Sequence, residues 1–263
     1  MSIELDICIP VKNRLGFWHQ GQWRYLLPKT LESIRSVQAA LPGVYIKTYI
    51  SDFYSDDADV EALCQEILGS EVAFTIHKVN PPFSRGRGLK RAWSLGHAQY
   101  IFILDADMTF DESVILHALE HLKMDRAVFP ICRRYTDFSH DHWVWGSRGF
   151  GMSFFPRKFV MEHGDMMPEY TQWGFEDLHF FHHVCARTCV VRYAEPGLYH
   201  SWHPNSEKWK NRFGAYPGMH HVLVRIRARM YRIYKRVVYG ATPPPVGQLY
   251  EIDPATGQRF FHK

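Results

Sequence analysis

The sequence predicts an α/β fold, a mostly parallel sheet flanked by helices, with an elaborated second half and a basic C-terminal helix. Three observations carry this. Four short apolar runs, LDICIPV (5–11), VYIKTYIS (44–51), VAFTIHKV (72–79) and YIFIL (100–104), have the length and composition of strands buried on both faces. The segments between them carry apolar residues at helical spacing. Strands joined through helices rather than tight turns imply crossover connections and therefore parallel pairing.

The first helix begins at Pro28 and sets Leu31, Ile34, Val37 and Leu41 on one face. A second follows Ser55, a residue able to cap it, while Asp56 and Asp57 suit its positive end. RGLKRAWSLGHA (87–98) reads as a third helix, feeding the strand YIFIL. Past residue 111 the pattern loosens into a helix (SVILHALEHL, 113–122), a short strand (AVFPI, 127–131) and an aromatic, histidine-rich loop (HDHWVWGSRGFG, 140–151), whose glycines would permit a mobile lid. The strand GMSFF (151–155), a helix from about Glu176 and the strand CVVRYA (189–194) complete the body. In HHVLVRIRARMYRIYKRVVYG (220–240), Val222, Ile226, Met230, Ile233 and Val237 form one stripe beside six basic residues, and Pro243 to Pro245 end the helix. Such a helix either packs on the body with its basic face in solvent or meets a membrane surface or an acidic partner.

Composition narrows the classes. The chain has 263 residues, 46% of them hydrophobic, enough for one large core. No apolar run reaches bilayer length, and MSIELDICIPV carries acids where a secretory leader would be basic, so a cytoplasmic location is expected. Five cysteines (Cys8, Cys64, Cys132, Cys185, Cys189) without CxxC spacing argue against a disulfide framework and a zinc ribbon. A net charge of +4 is too modest to imply nucleic acid.

Chemistry is expected first where YIFIL runs into Asp105 and Asp107. Carboxylates beside a dry core need solvent or a cation, and residues two apart in an extended chain point the same way. Together they can hold a hard divalent ion, although aspartates also serve simply to cap turns. Pro10, Lys12 and Arg14 end the first strand, and Arg85, Arg87, Lys90 and Arg91 surround two glycines at a helix start. Both clusters suit a diphosphate, and both are compatible with a solvated face. Asp52 closes the second strand, where its carboxylate could meet a ribose or base. Glu176 and Asp177 begin a helix, a position that favours the carboxylate anion and suits either a general base or a structural cap. His200 and His203 could add imidazole ligands. Trp143, Trp145, Trp173 and Trp202 flank these motifs and suit either sugar faces or a core.

Taken in order, IPVKNR, SRGRGLKRAWSLG, FILDADM, WGFEDLHF and YHSWHP resemble the motifs of the nucleotide-sugar glycosyltransferases of the GT-A, Rossmann-like fold. They are similar to those of the β-1,4-galactosyltransferases and, in layout, to the bacterial chondroitin-polymerase-like and polypeptide N-acetylgalactosaminyltransferase-like families. The likeness covers about residues 5–205. It implies a GT-A domain over 1–215, with a nucleotide-binding half (1–110) and an acceptor and catalytic half (111–215), followed by a basic helical extension (216–263). It also implies an inverting transfer of a hexose or N-acetylhexosamine from a UDP-sugar to a hydroxyl of a glycan or glycolipid, with Mn²⁺ or Mg²⁺ as cofactor.

In the roles the resemblance implies, Asp177 is the base and Glu176 orients the acceptor. Asp107 and His200 hold the metal. Pro10, Lys12, Arg14, Asp52, Arg85, Arg91, Asp105, Trp173 and His203 line the substrate site. Three departures stand out: Lys12 replaces an arginine, WGFED lacks a second glycine, and His203 competes with His200 as ligand. Two other readings fit parts of the pattern. DADMT also matches the DxDxT of haloacid-dehalogenase-like phosphatases, with Asp105 as nucleophile, and the chain could be a catalytically silent sugar-nucleotide or glycan-binding protein.

Overall fold

The structure, a computed structural model, describes residues 3–147, 149–163, 167, 169–171 and 176–204, together with the backbone of 249–252 and 259–262. In chain order the elements are β1 (Ile3–Val11), β2 (Gly16–His19), β3 (Gln22–Tyr25), α1 (Leu27–Ala40), β4 (Val44–Asp52), α2 (Val60–Leu68), β5 (Ala73–Lys78), α3 (Arg85–Leu95) and β6 (Tyr100–Ile103). There follow β7 (Met108–Phe110), α4 (Glu112–Leu122), β8 (Ala127–Val128), β9 (Ile131–Tyr135), β10 (Trp143–Trp145), β11 (Ser153–Pro156), α5 (Arg157–His163), α6 (Glu176–Cys185) and β12 (Val190–His200). Two strands, β13 (Leu249–Ile252) and β14 (Arg259–His262), close the list.

One sheet runs in the order β10-β9-β12-β8-β11-β6-β1-β4-β5. Its first-half strands are all parallel: β1 pairs β4 from Ile3↔Val44 to Val11↔Asp52, and pairs β6 from Leu5↔Tyr100 to Cys8↔Ile103. This register brings the carboxyl ends of β1, β4 and β6 to one edge, the place where ligands bind in open α/β sheets. Alternation along β1 divides the core. Leu5, Ile7, Ile9 and Val11 face the layer that contains Leu31 and Ile34 of α1 and Val60 and Leu68 of α2. Cys8 faces the other layer, with Leu89 and Trp93 of α3 and Phe180 and Phe181 of α6. Each such aliphatic side chain contributes about 1.5–3 kcal/mol by burial.

Several elements differ from expectation. Helix α2 starts at Val60 and is capped by Asp59, which accepts from the N–H groups of Glu61 and Ala62. Ser55, Asp56 and Asp57 instead tie its loop to the first strand's end: the Asn13 N–H donates to Ser55, the Asn13 side chain to Asp56 and the Leu15 N–H to Asp57. The hairpin β2–β3 was not foreseen, its strands being too short for a clear alternation. The C-terminal segment is not helical throughout, because β13 pairs antiparallel with β12 and β14 with β13. The basic stretch 220–240 lies outside the described residues. No helix among the described residues is long and apolar enough to cross a membrane. All five cysteines are thiols, and burial pushes those of Cys64, Cys132 and Cys185 up to about 12.

Candidate active site at the carboxyl edge of the sheet

Asp105 and Asp107 follow β6 directly, and the chain then turns into β7, which pairs antiparallel with the end of β12 so that Met108 faces His200. The Ser201 N–H donates to the Asp107 carbonyl at 2.9 Å, fastening the two segments together. Asp107, His200 and His203 therefore converge: His200 Nε2 lies 3.8 Å from Asp107 Oδ1, and His203 Nε2 lies 3.4 Å from Oδ2. One ligand atom from each falls within 4.8 Å of the others. Ligand atoms around one divalent ion at ~2.1 Å sit about 3 to 4 Å apart, which the two distances to Asp107 match, so the set is a candidate site for such an ion. Nδ1 of His200 is buried with no hydrogen-bond partner, leaving that ring held by its Nε2 side. The geometry does not choose between the two histidines; both face Asp107.

Charges in this cluster are strongly coupled. Burial raises the Asp107 carboxyl, but the His200 and His203 imidazoles and the Arg14 charge outweigh it and hold the group well below the usual carboxylate range. Burial pushes His200 down, against the pull of Asp107, and the hydrogen bond to Asp107 lifts His203. The Arg14 carbonyl accepts from the Leu27 N–H, but its side chain makes no hydrogen bond or ion pair among the described residues, so its guanidinium remains available beside the cluster. Arg134 was missed in the sequence because its role depends on register. It lies opposite His200 in the parallel β9–β12 pair, exposed, and its charge also lowers His200.

Asp105 does not join the cluster. Its Oδ1 accepts from Arg85 Nε at 2.7 Å, and Arg85 Nη2 donates to the Gly151 carbonyl at 2.6 Å. Ser84 caps α3 and so sets Arg85 at the helix start, where it meets the end of β6. Its guanidinium also faces Glu176 and Asp177 at the start of α6: burial lowers Arg85, and Asp105, Glu176 and Asp177 together raise it above the ordinary arginine value. Asp177 Oδ2 accepts from the Phe150 N–H at 3.3 Å. Glu176 is only 5% exposed, and its Oε2 is buried without a hydrogen bond, so it presents almost no surface to an acceptor, contrary to the role expected of it. Burial raises its pKa, Arg85 lowers it and Asp177 raises it further.

Other expected site residues fall elsewhere. Arg91 is exposed on the flank of α3 and donates from Nε to His77 Nε2 at 2.9 Å, near the end of β5. Asp52 has no accessible surface; Oδ1 accepts from the Ser55 N–H and hydroxyl and Oδ2 from Lys78 at 2.6 Å. It organises the loop after β4. Lys12 donates to the Tyr54 carbonyl at 2.6 Å and pins the same loop. Pro10 is buried against α3: a Cβ on Gly88 would come within 2.9 Å of the Pro10 ring, so glycine there lets the helix approach. Trp173 lies outside the described residues. Trp202 is enclosed by Phe17 and His19 of β2, with ring centroids 5.8 and 5.0 Å away, and Trp143 covers the Arg133 guanidinium at 4.6 Å. A cleft of about 550 Å³ beside the β4–α2 loop is lined by Asp56, Asp57, Asp59 and Glu61, a composition that would repel a diphosphate.

The family model for glycosyl transferase family 2 matches residues 6–188, most of the chain. The chain belongs to glycosyl transferase family 2. Its curated relatives include the human and mouse chondroitin sulfate N-acetylgalactosaminyltransferase 2, 27% and 25% identical over 154 residues. The match covers 49% of this chain and 28% of each relative, so the chain spans well under a third of their length. Among solved structures, this family 2 chain is similar to S. aureus TarS in complex with UDP-GlcNAc, with a TM-score of 0.59 and 9% identity over 79% of this chain and 61% of that one. It is also similar to the mannosyltransferase PcManGT from Pyrobaculum calidifontis in complex with GDP-Man and Mn²⁺, with a TM-score of 0.57 and 14% identity over 93% of this chain and 67% of that one. At those identities the structures share its GT-A fold. Membership of glycosyl transferase family 2 sets the phosphatase reading aside.

Proposed function

We propose that this glycosyltransferase moves a hexose or N-acetylhexosamine from a UDP-sugar to a hydroxyl of a glycan or glycolipid, with inversion and with a divalent cation, Mn²⁺ or Mg²⁺, held by Asp107, His200 and His203. The observation that carries the reading is the convergence of those three side chains at the sheet's carboxyl edge. The cation there would offset the charge building on the departing diphosphate. Arg14 and Arg134 flank the same place and can bind phosphate oxygens. Asp177, at a helix start that favours its anion, takes the acceptor hydroxyl's proton as that oxygen bonds the anomeric carbon. The bond from that carbon to the diphosphate breaks with its electron pair leaving on UDP, and a single displacement of this kind inverts the centre.

Titration calorimetry of UDP with and without Mn²⁺ tests the reading. Wild-type protein should bind UDP more tightly with the ion, and Asp107→Ala should lose that gain; an unchanged Mn²⁺-dependent affinity in the variant would overturn the cation assignment. A panel of UDP- and GDP-sugars, scored by thermal stabilisation, identifies the donor, because a ligand selective for the native state raises its melting temperature.

A further inference from the structure

The loop before β11 has the glycines of a lid, yet two arginines hold its backbone. Arg192, 1% exposed, donates from Nη2 to the carbonyls of Ser147 at 2.8 Å and Gly149 at 2.9 Å, and its guanidinium lies 4.4 Å from the centre of the Phe150 ring. Arg85, whose side chain is 11% exposed, holds Gly151 through Nη2 and Asp105 through Nε. Between these anchors the Phe150 N–H donates to Asp177. Three hydrogen bonds thus run without a break from Asp105 to Arg85, from Arg85 to Gly151, and from the adjoining Phe150 to Asp177.

A larger residue at Gly151 would have to displace the ends of two side chains. A Cβ there would stand 2.9 Å from Asp105 Oδ2 and 3.3 Å from Arg85 Nη2. The glycine is therefore explained by the close approach of its backbone to the Arg85–Asp105 pair.

We infer that Arg85 and the Phe150–Gly151 segment form a brace that fixes Asp177 relative to Asp105, making Arg85 a positioning residue and not a donor ligand. The inference rests on the reading of Asp177 as base. The brace joins two carboxylates that would otherwise repel. Reaction geometry is sensitive to displacements of about 1 Å, so loosening the brace slows the chemical step while leaving the nucleotide bound. That outcome differs from the one expected of a phosphate-binding arginine, whose loss would weaken UDP binding in proportion.

Gly151→Ala is the sharpest probe, because it keeps every charge and acts only by crowding the pair. With UDP affinity measured by calorimetry and turnover at saturating donor and acceptor, Gly151→Ala and Arg85→Lys should lose about 10- to 100-fold in kcat, the usual effect of removing a supporting contact, and retain wild-type affinity for UDP and Mn²⁺. Arg85→Ala should lose more, and added guanidinium ion should restore part of its kcat by filling the vacated site, a rescue that a variant damaged only in folding would not show. A fall in UDP affinity with kcat unchanged would overturn the inference and make Arg85 a donor ligand. Wild-type kcat in Gly151→Ala would also overturn it. If Asp177→Asn is inactive while Gly151→Ala turns over normally, the brace alone fails; if Asp177→Asn is active, the reading of the base fails.

Discussion

The first half of the sheet and the second are built by different means. In the first half β1, β4, β5 and β6 pair in parallel in unbroken register, nine consecutive partners between β1 and β4, and apolar side chains fill both faces. From β7 onward directions mix, and the long strand β12 carries an irregularity between Ala194 and Tyr199. There charged groups take over work done elsewhere by apolar contact: Arg192 and Glu195 are 1% and 0% exposed, and Glu176 is 5%. The first half has buried charges too: Asp52 pairs with Lys78 inside that half, while Asp6 reaches across to Arg157 of α5. In the second half Arg192 holds the loop whose Phe150 N–H donates to the proposed base. Burial is cheap to vary by a methyl group, whereas a buried hydrogen-bonded charge has no near substitute. The comparison therefore predicts that damage in the first half costs stability and damage in the second costs both stability and turnover.

The largest effect should come from Asp177→Asn, which removes the proposed proton acceptor with little change of shape. A loss of about 10²- to 10⁴-fold in kcat is expected, with UDP binding kept. Single-turnover measurement isolates the chemical step, and near-wild-type turnover would remove Asp177 as base and leave the second half as scaffold only.

Next in size is a matched pair, one variant from each half. Arg192→Met leaves the carbonyls of Ser147 and Gly149 without their donor, a loss of about 2–4 kcal/mol by the usual strength of charge-assisted bonds to buried groups. Ile7→Val removes one methylene from a side chain with no exposure, at about 0.5–1.5 kcal/mol. Urea unfolding gives both values. The comparison requires a further difference in kcat at a temperature where both variants stay folded: reduced for Arg192→Met, unchanged for Ile7→Val. Equal kcat in the two would dissolve the distinction between the halves.

The same contrast explains what could be read from the sequence. The strands at 5–11, 44–51, 72–79 and 100–104 appear in the structure within a residue or two, because apolar periodicity is a local signal and their packing obeys it. The convergence of Asp107 with His200 and His203 was legible only as a set of motifs, since nothing local says that β7 pairs with β12. Arg134 and the brace left no comparable signal. Arg192 sits in the run CVVRYA, where a charged residue in a buried strand looks like an ordinary outward-facing position, and Gly151 looks like one more flexible loop glycine. Asp52 and Arg91 went astray for the complementary reason. Each has a residue type suited to a ligand, and each is engaged by a neighbour in the fold, Lys78 and His77, that composition does not reveal.

The smallest expected effect addresses the cost of placing charge in the second half. Burial raises the Glu176 pKa above that of an ordinary glutamate, Arg85 offsets part of this, and Asp177 adds to it. A carboxyl with a raised folded-state pKa holds its proton more tightly folded than unfolded, so its favourable contribution is complete below the unfolded value of about 4.3 and is lost as pH climbs through the folded value. At neutral pH the ionised group is then a net burden on the fold. Glu176→Gln, neutral at every pH, should melt higher than wild type at pH 7 to 8, and the gap should close as pH falls towards about 4. Thermal melts across that range check the sign. A variant that melts lower than wild type at pH 8, or a gap that widens in acid, would mean that the carboxylate is held by Arg85 more strongly than burial opposes it, and that the second half gains stability from its charges as the first half does from its apolar faces.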